Sequence, residues 1–294
     1  MTSVNPCHQA PALVQALGLP ARAHVGQRIA KTLLTEQIAN LPGSTAADKR
    51  LVNQSLAELH WLAALKPATC GLAAWQTDTH DYLEIAVLHA ALMGSPTAAQ
   101  AGRLIELTHR TIPYPVVLVV SQPGAQGSTE QLSLAHKRLP AGNSSAMVLE
   151  QTITTQPIQP IQTTQNTTKL IANKSIADCC SAQFVQYLAL TPTLTPAHSA
   201  PRHACPDLYS RYSDWLHAAQ ALAAAEHTGQ FTVSTTAPEA ARRCSALAAY
   251  DQLGQQLVSL RAQARKESQL GQRALLNIQI TKLMAERQAL LGSL

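Results

Sequence analysis

The first long stretch of patterned apolar residues lies between positions 46 and 65. From Val52 to Leu65 the large apolar residues recur mostly at intervals of three or four, which is the spacing of one face of an α-helix. Thr45 and Asp48 precede this stretch three residues apart, as in a capping box. The pattern therefore predicts one helix over about 46–65.

Two strands and an intervening helix are predicted between 82 and 120. Residues 82–92 alternate between two faces, whereas 116–120 (VVLVV) are apolar throughout, as in a strand that is covered on both sides. Between them, Thr97 begins a helical segment that runs to Arg110. A strand, a helix and a strand in this order favour a right-handed parallel crossover.

Two further strands complete the predicted sheet. Residues 131–137 (QLSLAHK) follow a loop rich in turn-forming residues, and their alternation indicates a half-exposed hairpin partner. Residues 146–154 form a further apolar stretch. The predicted fold class is therefore α/β, a small mixed sheet with flanking helices and a helical C-terminus.

The C-terminal third is predicted to be helical. Helices are expected near 177–190 and 207–229, and then from 238 to the end. Leucines recur at intervals of three and four before 266 and again after 271, but in a different register. A hairpin of two helices and one long coiled-coil helix with a stutter both account for this break.

These patterns divide the chain into four predicted segments. The segments are an α/β core with N-terminal helices (1–155), a Gln/Thr-rich insertion or linker (156–176), a helical extension (177–237) and the C-terminal hairpin or coiled coil (238–294).

Composition adds a weak preference for an anionic partner. Only 13% of the 294 residues are charged, about half the share usual in soluble proteins. The net charge is +5. From 238 onward there are eight basic and four acidic residues, and 8 − 4 = +4 is most of that charge. Such clustering is expected of a surface that meets nucleic acid or acidic protein.

Location is predicted from what the chain lacks. The first twenty residues contain no basic segment followed by an apolar run, and no apolar stretch approaches the ~18 residues that span a bilayer. The six cysteines are scattered without a CxxC pair. We therefore expect a cytoplasmic protein with free thiols and no membrane contact.

Basic residues are the first candidates for a binding site. The segment 136–138 is expected to form a basic tip at a strand end that touches phosphate or an acidic partner, and a merely solvated strand end is the alternative. The predicted contact residues are His136, Lys137, Arg138, Arg261, Arg265, Lys266 and Arg273.

A nuclease site is the catalytic alternative. Metal-dependent restriction-type nucleases need two carboxylates and a lysine around a divalent ion, which activates water and neutralises the phosphate. Asp81, Glu84 and Lys137 are the candidates. The acid-any-lysine triplet on one strand is absent, so the sequence favours no catalytic residues.

No metal site or cofactor is predicted. His198, His203 and Cys205, with Cys179 and Cys180, have a spacing that fits no common zinc module. Walker, dinucleotide-binding and hydrolase-elbow motifs are missing.

Several aromatic residues are predicted to be structural. Tyr209, Tyr212 and Trp215 are three residues apart and favour a core or interface face over a base-stacking platform. Trp61 and Trp75 are expected in the core.

Seven blocks in order carry a family resemblance. They are ALGLPARAHVGQRIAKTLL, TAADKRLVNQSLAELHWLAALKP, YLEIAVL, HRTIPYPVVLVV, LSLAHKRL, DLYSRYSDWLHAAQALAAAEHTGQF and RKESQLGQRALLNIQITKL. Together they resemble the bacterial domain-of-unknown-function family numbered 4391.

The resemblance implies an α/β protein whose relatives are often encoded beside a helicase-like ATPase and a DNA methyltransferase, in restriction-like or phage-defence clusters. The first hypothesis is thus a non-catalytic accessory subunit that docks through its C-terminal helices and contacts DNA through basic groups. The second is the nuclease, and the third is an oligomerisation module that self-associates through those helices.

Overall fold

The computed structural model describes residues 10–124, 127–139, 147–159, 176–190 and 205–294. The chain divides into two compact units. Unit 1 comprises residues 1–173 and 181–219, and unit 2 comprises residues 174–180 and 220–294. Of the predicted Gln/Thr-rich insertion (156–176), residues 160–175 lie outside the described residues, whereas Ile158 is buried and its backbone pairs with that of Glu130.

Unit 1 is built on a six-stranded mixed sheet with the order β1-β2-β5-β6-β7-β8. Its strands are β1 (His24–Ile29), β2 (Leu56–Leu65), β5 (Ile85–Leu92), β6 (Val116–Gly124), β7 (Gly127–Arg138) and β8 (Val148–Thr154), and β3 (Trp75–Gln76) pairs with β4 (Asp81–Tyr82) separately. Among these six described strands, β5 and β6 pair in parallel and every other neighbouring pair is antiparallel. The predicted α/β class with a mixed sheet is confirmed.

The helices of unit 1 cover the sheet. They are α1 (Ala12–Ala16), α2 (Lys31–Ala39), α3 (Ala46–Ser55), α4 (Pro67–Cys70) and α5 (Ala98–Thr111), with parts of α6 (Ile176–Tyr187) and α7 (Leu208–Thr228). Side chains of α2, α3 and α5 form the main core with β2, β5 and β6, and Leu88, Leu118 and Leu104 belong to it.

The predicted crossover lies where the sequence placed it. Thr97 caps α5 by accepting the Gln100 N–H, and Gln100 completes the capping box. All five residues of VVLVV are at most 1% exposed. The prediction of a central strand that is covered on both faces is therefore confirmed.

One predicted helix is wrong in its second half. Thr45 and Asp48 form the predicted capping box, but α3 ends at Ser55 and Leu56 begins β2. From Leu56 to Leu65 the chain pairs with β5, and part of it also pairs with β1. Apolar spacing alone did not separate the two elements, because register shifts after Leu56 and after Trp61 interrupt the alternation along β2.

The described helices of unit 2 outside α6 and α7 form a hairpin. Helix α8 (Ala237–Lys266) and helix α9 (Leu270–Leu290) contact each other along their lengths. Leu257 and Ala264 of α8 are buried, and Leu276, Ile280 and Leu283 of α9 are partly buried. Of the two sequence alternatives, the hairpin is the one that forms. None of the described helices is long and apolar enough to cross a membrane.

Candidate functional site

The end of β7, where the basic tip was predicted, is locked by a tyrosine of α7. Pairing between β6 and β7 ends at Val117 and Leu134. At the next position the Tyr212 hydroxyl donates to Val116 O (2.7 Å) and accepts from the Ala135 N–H (2.8 Å). The hydroxyl thus takes the place of a rung of the ladder and fastens α7 to both strands.

Lys137 is buried, so the expectation that it reaches outward is wrong. Its side chain is 1% exposed, and its ammonium donates to Ile112 O (2.7 Å) and Tyr114 O (2.6 Å). Both carbonyls lie in the proline-containing segment that joins α5 to β6. Burial lowers the pKa of Lys137 to about 7. The residue therefore holds this connection in place.

His109 lies near Lys137 in the same buried region. It is fully buried, and its Nε2 is 3.0 Å from Ser133 Oγ, which also accepts from the Thr154 hydroxyl. Burial, and secondarily the positive charge of Lys137, lower the pKa of His109 well below its usual value. His109 is therefore neutral at physiological pH, and its Nδ1 has no partner within the described residues.

His136 is also buried, among aromatic rings. Its Nδ1 hydrogen-bonds with the Tyr82 hydroxyl, its Nε2 lies 3.3 Å from Ser213 Oγ, and its ring centroid is 5.3 Å from that of Tyr209. Burial, helped by His217 and His80, lowers the pKa of His136 to about 4. The imidazole of His136 is only 8% exposed and is neutral at physiological pH. The expectation that His136 belongs to an exposed basic tip is therefore wrong.

Arg138 alone of the predicted tip keeps an accessible side chain, 35% exposed. Its guanidinium Nε is 2.9 Å from Glu150, whose other oxygen is 2.9 Å from His80 Nε2. Glu150 occupies the bulge of β8, because Gln151 pairs with His136 and Leu149 pairs with Lys137. A bulge redirects a side chain, and here it brings the carboxylate of Glu150 to both Arg138 and His80.

Some of the aromatic residues are buried as predicted, and others form a contact that the sequence did not indicate. Tyr212 and Trp215 are fully buried, as the sequence indicated, and Trp215 donates to Leu188 O. Trp75 is only partly buried and stacks on Tyr209 at a centroid distance of 4.0 Å. The sequence did not predict this stack, because 134 residues separate its two members and no local pattern joins them.

The three candidate nuclease residues have separate partners. Asp81 accepts the Leu83 N–H, and Glu84 forms an ion pair with Lys66 at 2.9 Å. Lys137 is engaged by the two carbonyls described above.

The candidate metal ligands are not clustered in the described part of the chain. In the described part of the chain, no group of three or more His, Cys, Asp or Glu side chains is arranged to hold a metal ion. His198 and His203 lie outside the described residues. Cys179 and Cys180 form no disulfide with any described residue.

The four basic residues predicted in the C-terminal helices lie around one turn. Arg261, Arg265 and Lys266 are in the last turns of α8, and Arg273 is in the first turn of α9. All four are exposed. Within the described residues, none of them forms an ion pair. This cluster is the hairpin tip, and it can meet an anionic surface without first breaking an ion pair to any described residue.

The comparison with known protein families gives a match that covers nearly the whole chain. The model of a domain of unknown function, DUF4391, matches residues 17–286. The chain belongs to the DUF4391 family. No curated protein and no solved structure matches it.

The DUF4391 match includes all the candidate site residues just described. It spans the sheet of unit 1 with its buried Lys137 and His136, and it reaches through the hairpin tip to Glu286. Both the locked sheet and the basic hairpin therefore lie within the family's own domain.

Proposed function

We propose that this DUF4391 protein is a non-catalytic accessory subunit that docks onto a larger assembly through its C-terminal hairpin. Following the family resemblance, the proposed assembly is a restriction-like or phage-defence module with a helicase-like ATPase and a DNA methyltransferase, in the cytoplasm. DNA contact by the same hairpin is the second candidate function.

The observation that carries this proposal is the concentration of positive charge on the hairpin. Residues 258–284 contain five basic residues and one acidic residue, so 5 − 1 = +4 of the chain's net +5 lies there. The four cations of the hairpin tip are exposed. Exposed clustered charge accelerates association with an oppositely charged surface and favours the correct orientation.

The nuclease alternative has less support from the same geometry. A catalytic lysine must reach the scissile phosphate or the attacking water. The ammonium of Lys137 is buried between two backbone carbonyls, and Glu84 Oε2 forms an ion pair with Lys66. Self-association through the hairpin is also less favoured, because two copies would bring like charges together.

Co-purification with a charge-reversed hairpin tests the proposal. The variant is Arg265→Glu with Lys266→Glu, expressed with the neighbouring genes of its host. Lys49→Glu with Arg50→Glu is the matched control, because it reverses an exposed Lys/Arg pair on α3 of unit 1. We expect the wild type and the control to retain their partner and the hairpin variant to lose it. Equal retention by both variants would refute hairpin docking.

The proposal also predicts how the charge-reversed protein behaves by itself. Both side chains are exposed, so its circular dichroism spectrum should match that of the wild type. Reversing two charges at the C-terminal end of α8 costs about 1 kcal/mol or less each in helix-dipole energy. A protein that unfolds on this change would instead show that the two residues are structural.

A further inference from the structure

The hairpin exposes apolar side chains in addition to its charges. Ten large apolar side chains are well exposed within the described residues, and half of them lie between 258 and 284. These are Val258 (69% exposed), Leu270 (76%), Leu275 (56%), Ile278 (65%) and Met284 (47%). Single exposed apolar residues are ordinary, but a concentration of them on one element marks a contact surface.

Three of these five side chains lie along one side of the hairpin. On α8, Val258, Arg261 and Arg265 are separated by three and four residues, so they share one stripe. On α9, the positions 270, 273, 277, 281 and 284 share another stripe for the same reason. Arg261 Nη2 donates to Met284 Sδ at 3.4 Å, which places the two stripes side by side. We call the surface between them the arginine groove.

The other two exposed apolar residues lie elsewhere on α9. Its face toward α8 carries Leu276, Ile280 and Leu283. At 3.6 residues per turn, Ile278 is on the opposite side of the helix, and Leu275 is on the flank away from Met284. They provide an internal comparison of the same residue type on the same helix.

The arginine groove combines apolar and positively charged groups. Its apolar members are Val258, Leu270 and Met284, and its charged members are Arg261, Arg265 and Arg273. The only carboxylate between 258 and 284 is Glu267, whose Oε1 accepts the Gln269 N–H at 2.7 Å within the hairpin turn. The arginines of the groove have no acidic partner within the described residues.

We propose that the arginine groove binds an amphipathic helix of a protein partner, with an apolar stripe flanked by carboxylates. This inference rests on the proposed function and specifies its docking surface. A third helix laid along the hairpin buries Val258, Leu270 and Met284 while its carboxylates pair with the arginines. A duplex DNA backbone satisfies the arginines but leaves the apolar side chains unused, and a second copy of the hairpin adds like charge.

The direct test is binding of synthetic helices to the full-length protein, measured by fluorescence anisotropy. The first probe is a helical peptide of about 21 residues with leucine at positions a and d and glutamate at e and g. The second has lysine in place of glutamate, and the third is a DNA duplex of about 20 base pairs. We expect the glutamate peptide to bind at least about tenfold more tightly than the lysine peptide.

Matched double variants separate the groove from the remainder of the hairpin. Val258→Ser with Leu270→Ser removes two aliphatic groups from the groove, and Leu275→Ser with Ile278→Ser removes two from outside it. We expect the groove variant to bind the glutamate peptide about tenfold more weakly and the other variant to bind it as the wild type does. Arg265→Gln with Arg273→Gln should reduce the preference for glutamate over lysine.

The outcomes distinguish this inference from the proposed function. DNA that binds more tightly than the glutamate peptide, with a steep salt dependence and no effect of either serine variant, would overturn the groove in favour of nucleic acid. Equal weakening by both serine variants would also overturn it. If the host partner co-purifies but both serine variants retain it, docking stands and the groove is wrong. If nothing co-purifies while the peptide series behaves as expected, the accessory role fails and the groove stands.

Discussion

The Tyr212 hydroxyl is predicted to be one of the most important single polar groups in unit 1. It bonds to two backbone groups, Val116 O and the Ala135 N–H, and both of those residues are fully buried. In Tyr212→Phe the ring remains, so the aromatic packing against Tyr82 and His136 is retained. The variant therefore isolates the hydrogen bonds.

The expected loss of unfolding free energy in Tyr212→Phe follows from the backbone groups that lose their partner. Loss of the hydroxyl leaves one buried carbonyl and one buried N–H without a partner, because the two strands are not paired directly at that position. An unsatisfied buried polar group costs about 1–3 kcal/mol. Allowing for partial relaxation of the strands, we expect the free energy of unfolding to fall by about 2–4 kcal/mol.

Tryptophan fluorescence during urea denaturation measures the free energy of unfolding of unit 1. All three tryptophans, Trp61, Trp75 and Trp215, lie in unit 1, so the signal reports its unfolding. Tyr114→Phe is the matched control, because Tyr114 is 45% exposed and a surface change costs within about 0.5 kcal/mol. A Tyr212→Phe protein as stable as the control would refute the inserted-hydroxyl interpretation.

Three further changes test the buried residues of unit 1. The folded-state pKa of His136, about 4, is below its usual 6.5, so the unfolded chain takes up the proton first as pH falls between these values. The wild type should lose on the order of 3 kcal/mol of unfolding free energy across that window, and His136→Gln should lose less in urea titrations. Lys137 has its folded-state pKa lowered to about 7, so wild-type stability should rise from pH 7 toward 10.5. Lys137→Met should lack that rise in the same assay. Leu118→Lys places a charge at a fully buried position and should destabilise unit 1 by several kcal/mol, visible as a lowered melting temperature.

Local signals in the sequence predicted local structure well. The predicted capping box at Thr45 and the predicted helix start at Thr97 are both confirmed, because the atoms that form each cap are only three residues apart. The apolar run 116–120 predicted a central strand, because burial on both faces removes every polar position. In the C-terminal region, the change of leucine register predicted the break between α8 and α9.

The same sequence could not place β1 or the end of α3. Strand β1 is nearly all exposed and pairs only with β2, so it has little apolar pattern to detect. Nothing between Ser55 and Leu56 marks the change from helix to strand, such as Gly or Pro. What ends α3 is the pairing of Leu56 with Leu92, a partner 36 residues further along the chain.

The expectation that His136 and Lys137 are exposed at a strand end is wrong for a related reason, and this affects the functional argument. A polar residue at a strand end is expected to be solvated unless partners elsewhere satisfy it. Here the partners are distant in sequence: Tyr82 and Ser213 for His136, and the carbonyls of Ile112 and Tyr114 for Lys137.

The basic residues predicted as contact sites in the two units differ in whether they already have internal partners. In unit 1 the lysine and the histidine are committed to holding strands and helices together, and Arg138 is paired with Glu150. In unit 2 the four cations of the hairpin tip have no ion-pair partner within the described residues. Charge that is already satisfied internally must give up those bonds before it can bind anything else, whereas exposed unpaired charge need not. A search for the partner of this protein should therefore begin at the C-terminal hairpin.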